Sequence, residues 1–134
     1  MFDWLKKKRE EPLTGSPAVR RQKTYSAESG YVCQYVYMGH RTARRDSVLG
    51  SQYIFDVSSD RKTGYSVSIF LSQVAVAEWE RSHSRELSST ELYAIAKMAL
   101  FQAFDQRENP EAMAEEVRVR PEDVSEILRV LDIE

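Results

Sequence analysis

Between Leu92 and Phe104 apolar side chains recur at i, i+3, i+4, i+7, i+8, i+11 and i+12: Leu92, Ile95, Ala96, Ala99, Leu100, Ala103 and Phe104. At 3.6 residues per turn this spacing makes one continuous stripe along a helix. Ser88 and Glu91 stand where a capping box needs them, each side chain answering the other residue's backbone N–H, so the start of the helix is set. Tyr93, Met98 and Phe101 add apolar surface on the flank. A helix this apolar must be covered on more than one side, which predicts a central element of a single core. A chain of 134 residues has room for one such core plus tails.

Upstream the period changes from 3.6 to 2. "YVCQYVYM" sets Tyr31, Cys33, Tyr35 and Tyr37 on one face of a strand and Val32, Gln34, Val36 and Met38 on the other. "QYIFDVS" at 52–58 and "YSVSIFL" at 65–71 read as two more strands, joined by "SDRKTG" as a hairpin loop. Ser72 suits the cap of a helix through "QVAVAEWERSH", and Asn109 with Pro110 suits the start of another. The expected fold is α+β: a three-stranded antiparallel sheet, Tyr31 to Leu71, followed by three or four helices packed on one face. Residues 1–28, rich in Pro, Gly, Ser and charge, read as a flexible basic arm. Residues 29–107 read as the core domain, and 108–134 as an acidic helical hairpin packed on it.

Charge is distributed unevenly. The net charge of −2 divides into +6 over residues 1–45, −2 over 46–107 and −6 over 108–134, which suggests an anion-facing front and an acidic tail. No apolar run approaches the roughly 18 residues of a membrane span, and the cations at 6–9 follow the apolar residues, unlike a secretory leader. Cys33 is the one cysteine and His40 and His83 the two histidines, too few for a structural zinc site. Glu80 and His83, at i and i+3, are a conceivable metal pair, but a hydrogen-bonded histidine at a helix end is the commoner arrangement. No nucleophile setting or glycine-rich phosphate loop is present, so no enzyme, cofactor or metal is expected, and the cytoplasm is the expected compartment.

Two short stretches resemble known families. "MAEEVRVRPEDVSEILRVL" is similar to the helix-turn-helix of bacterial DNA-binding proteins, with Ala114, Val117, Val119, Pro121, Val124, Ile127 and Leu128 in its apolar and turn positions. Arg118 and Arg120 replace the usual turn glycine and cap serine, and Glu122, Asp123 and Glu126 lie on the would-be reading helix, opposing phosphate. Arg41-x-x-x-Arg45 followed by Asp56–Asp60 resembles the cyclic-dinucleotide motif of the PilZ family. Its intervening segment is short, and Arg61 occupies the closing glycine position, so the chain is not assigned to that family.

The candidate contacts are therefore two sets. Arg20, Arg21 and Lys23 of the arm join His40, Arg41, Arg44 and Arg45, which fall in a connection of about 13 residues, long enough to be functional. Paired arginines grip phosphate or carboxylate bidentately, and nearby tyrosines suit stacking on single-stranded nucleic acid. As exposed groups, Arg44 and Arg45 are expected to add little to stability. Phe2, Trp4 and Leu5 followed by Lys6, Lys7 and Lys8 suit a partner surface or, less readily, an anionic membrane. The expectation is a small non-catalytic cytosolic adaptor acting through protein contacts or self-association. The alternative is a nucleic-acid-binding protein using the basic loop and arm.

Overall fold

The computed structural model describes residues 11–28, 30, 32–59, 64–107 and 110–134. Five strands, β1 (Lys23–Ser26), β2 (Val32–Arg45), β3 (Val48–Ser58), β4 (Tyr65–Ser72) and β5 (Val117–Val119), lie side by side in chain order. The first four pair antiparallel and β5 joins β4 in parallel, making a mixed sheet curled into a half-barrel. Helices α1 (Gln73–His83), α2 (Ser89–Gln106) and α3 (Pro121–Val130) pack on one face. The three-stranded antiparallel sheet expected from the sequence is thus corrected to five mixed strands. The α+β class stands.

The two added strands have different causes. Lys23–Ser26 pairs with Tyr35–Val32 through short-range antiparallel register, so four residues near the end of the sequence-defined arm belong to the sheet. Val117 and Val119 alternate with Arg118 and Arg120, a period of 2 with β-branched residues. They pair with Ile69 and Leu71, and Val119 is buried. A 3-10 turn, Pro110–Ala114, precedes them. The expected helical hairpin, and the helix-turn-helix it resembled, is therefore a turn, a strand and one helix. Val124, Ile127 and Leu128 do face the core, each fully buried.

Helix α2 fills the predicted central role. Glu91 N–H donates to Ser88 Oγ at 3.2 Å and Ser88 N–H to Glu91 Oε1 at 2.9 Å. Ile95, Ala96, Ala99, Leu100, Ala103 and Phe104 are all buried, against Phe55, Val57, Val67 and Ile69 of the sheet. Ser72 Oγ accepts from Ala75 N–H at 3.1 Å and caps α1 as expected. Cys33 is fully buried among the core side chains.

The largest local departure is at the arginine-rich stretch. Rather than a long loop, β2 runs straight through it to Arg45 and returns in β3 after Asp46 and Ser47 alone. Both turn residues have positive φ, 53° and 69°, the backbone of a tight type I′ hairpin turn. The register shifts between Tyr37 and Gly39, so Met38 is an extra residue on β2. This bulge reverses the alternation. Odd residues through Tyr37 share the helix-side face, whereas beyond it His40, Thr42 and Arg44 do.

Candidate functional site

The bulge determines what the arginines can do. His40 aligns with Tyr53 and Arg44 with Leu49 on the helix side, while Arg41 aligns with Gln52 and Arg45 with Val48 on the far face. The expected single basic patch is split between two faces. On the far face a chain of hydrogen bonds crosses the sheet: Arg41 Nε donates to Gln52 Oε1 at 2.8 Å, Gln52 Nε2 to Ser68 Oγ at 2.9 Å, and Ser68 Oγ to Glu116 Oε2 at 2.6 Å. Arg45 grips Glu116 bidentately, Nε to Oε1 at 2.7 Å and Nη2 to Oε2 at 2.8 Å, over the ring of Phe70. Burial would push the Glu116 carboxyl up. The hydrogen bonds from Arg45 and Ser68, with the charges of Arg45 and Arg118, overcome that and hold it below its usual value. The anion that Arg45 was suited to bind is the chain's own carboxylate. Arg44 is exposed at the hairpin end, as is Arg20 on the arm.

The helix-side face carries the site. Thr14 and His40 exchange backbone hydrogen bonds, both at 2.8 Å, which pins the segment before β1 across the edge of β2. This approach needs glycine: a Cβ on Gly39 would lie 2.7 Å from the Thr14 carbonyl oxygen, and one on Gly15 would lie 2.7 Å from the His40 ring. From Thr14 to Lys23 the chain forms a strap, held at one end on His40 and at the other by the pairing of Lys23 with Tyr35. Alternate strap residues, Gly15, Pro17, Val19, Arg21 and Lys23, line a cleft of about 590 Å³. Tyr35, Tyr37, His40, Ser51 and Tyr53 of the sheet form its floor, and Ser89, Thr90, Leu92 and Tyr93 of α2 its opposite wall.

Aromatic rings dominate this floor. Tyr37 lies 4.7 Å from Tyr93 and 6.5 Å from Tyr53 between ring centroids, and His40 lies 5.2 Å from Tyr53. The Tyr37 hydroxyl and His40 Nδ1 are hydrogen-bonded at 2.9 Å. Burial pushes all four phenols up, Tyr53 to about 12 and Tyr37 further, so they remain neutral hydrogen-bonding groups at physiological pH. Arg21 and Lys23 supply the charge. Among the described residues no carboxylate lines the cleft, although Asp and Glu make up 21 of the 134 residues. The nearby Glu91 is held by Arg85 through hydrogen bonds at 3.1 and 2.7 Å, which with the Ser88 N–H keep its carboxyl down at about 2.

Of the sequence candidates, Arg21, Lys23 and His40 converge here and Arg20, Arg41, Arg44 and Arg45 do not. Phe2, Trp4, Leu5, Lys6, Lys7 and Lys8 lie outside the described residues. Tyr53, Tyr93, Thr90 and Ser51 were missed, because only the bulge and the packing of α2 bring them beside the strap. At the other end of α1, Glu80 accepts from the Leu87 N–H at 2.7 Å, and His83 Nδ1 hydrogen-bonds the Trp79 carbonyl at 2.9 Å. Among the described residues no cluster of three metal-ligating side chains forms, and no helix is long and apolar enough to cross a membrane. No family model, curated protein or solved structure matches the chain.

Proposed function

We propose that the protein is a small non-catalytic binding module of the cytosol whose working surface is the tyrosine-lined cleft beneath the strap. The observation that carries this is the cleft's composition: about 590 Å³ lined by four neutral phenols, an imidazole and two cations, with no acidic residue among the described ones. That volume lies in the ordinary range for small-ligand sites, which combine an apolar lining with a few polar groups. Its chemistry favours a partner that is anionic and carries a flat ring. The protein-contact reading has less to support it. The large exposed apolar side chains, Val19, Val32, Val48, Val74 and Val130, each lie on a different segment among the described residues and form no evident patch. The lone, buried Cys33 is consistent with the cytosolic placement.

The test uses 8-anilinonaphthalene-1-sulfonate, a dye that joins aromatic rings to a fixed anion. It should bind the native protein saturably at one site per chain. The double substitution Arg21→Ala, Lys23→Ala should weaken it at least tenfold, and Arg44→Ala should leave it unchanged. No saturable binding, or binding indifferent to the cleft substitutions, removes the cleft as the working surface.

A further inference from the structure

We infer that the cleft takes a nucleoside phosphate, with the base on the half-buried Tyr37 and His40 rings, which the buried Tyr53 backs, and the phosphate at Arg21 and Lys23. This inference rests on the cleft being the binding surface and names what binds there. The strap sorts the lining into two ends. Lys23 pairs with Tyr35 and Thr14 with His40, opposite Val57 and Tyr53 of β3 respectively. Four residues of β3 separate these positions, about 13 Å at roughly 3.3 Å per residue. The two cations occupy the Tyr35 end and the ring cluster the His40 end. Less the reach of the two long cationic side chains, the interval suits a base, a sugar and one phosphate.

Each end has the chemistry its part of the ligand needs. Nucleobases stack on aromatic faces regardless of sequence, and the neutral hydroxyl of Tyr37, with Ser51 nearby, offers both a donor and an acceptor to base edges. Behind the cationic end, outside the cleft lining, a third basic group stands near Lys23. Lys97 lies beside Lys23, and burial, then repulsion between the two charges, lowers its affinity for its proton. Like charges gathered this closely favour a multivalent anion such as phosphate over a single carboxylate. An extended peptide is disfavoured because such ligands pair with a sheet edge. Along the cleft the β2 edge is already paired with β1 at Val32–Tyr35 and with Thr14 at His40.

Free nucleotide and the terminal unit of a single strand share this chemistry, and displacement of the dye separates them. Adenosine 5′-monophosphate should displace it at least tenfold more effectively than adenosine, which lacks the phosphate, or ribose 5-phosphate, which lacks the base. Arg21→Ala, Lys23→Ala should bring the monophosphate and adenosine close together. A five-nucleotide single strand that binds more tightly than the monophosphate, with a steeper loss between about 50 and 200 mM salt, identifies a strand as the source. A strand that binds no better identifies the free nucleotide. Equal displacement by ribose 5-phosphate or adenosine overturns the inference, as does none by any of these compounds. In either case dye binding that still depends on Arg21 and Lys23 leaves the cleft itself standing. Loss of that dependence is the separate failure of the cleft.

Discussion

Replacing Gly39 with alanine tests how the strap is held. Gly39 has a φ of 123°, a conformation that costs other residues on the order of 1–3 kcal/mol. Its new Cβ would also meet the Thr14 carbonyl oxygen at 2.7 Å and Leu13 Cβ at 3.1 Å. The strap must then leave, giving up two backbone hydrogen bonds with His40, each worth about 0.5–1.5 kcal/mol net. Together these give a loss of about 2–6 kcal/mol. Gly30 is the control, because its φ is 100° but an added Cβ would meet nothing within 4 Å. Gly30→Ala should cost only the conformational part, about 1–3 kcal/mol. Urea titration of both variants measures the difference, and amide exchange at Thr14 and His40 reads the strap directly. Gly39→Ala should also weaken dye binding, since Arg21 and Lys23 ride on the strap. Equal costs for the two variants, or unchanged protection at Thr14, would refute the argument that close approach holds the strap.

Four further outcomes follow from the packing and charges. Leu100→Ala, fully buried on α2, should lose about 2–5 kcal/mol in denaturant titration, and a loss below about 1 would place the stripe outside the core. Arg45→Ala should cost about 1–3 kcal/mol by removing the bidentate donor to Glu116, which then keeps only Ser68 and Arg118, and Arg44→Ala less than about 0.5; equal effects would dissolve the far-face network. Glu116 ionises below its ordinary 4.5 in the fold, so its contribution is present above that pH and lost as pH falls through the folded value. Arg45→Ala should flatten this acid limb. Tyr53 shifts the other way, from 10 to about 12, so its contribution is complete below pH 10 and lost as pH rises through about 12. Absorbance at the phenolate band should show it ionising together with unfolding, and ionisation near 10 in the native protein would contradict its burial.

What the sequence shows and hides follows from how local each cause is. The stripe and capping box of α2 are contained within one segment, and the structure reproduces them residue by residue. The β2–β3 turn was hidden because Asp46-Ser47 lacks the Asn-Gly or Asp-Gly signature of its turn type, so the arginines looked like a loop. "VRVR" did carry a strand's alternation, but three residues make a strand only beside β4, more than forty positions away in sequence. The cleft was least legible. Arg21 and Lys23 stood out as cations, but their convergence with His40, Tyr53 and Thr90 depends on one inserted residue, Met38, and on two glycines that let the strap cross.

Backbone amide chemical-shift mapping during titration with 8-anilinonaphthalene-1-sulfonate tests the central claim most directly. The account predicts that the largest shifts fall on Arg21, Lys23, His40, Tyr53, Thr90 and Tyr93. Shifts gathered instead on Arg41, Arg45 and Arg118 would place binding on the far face and contradict it.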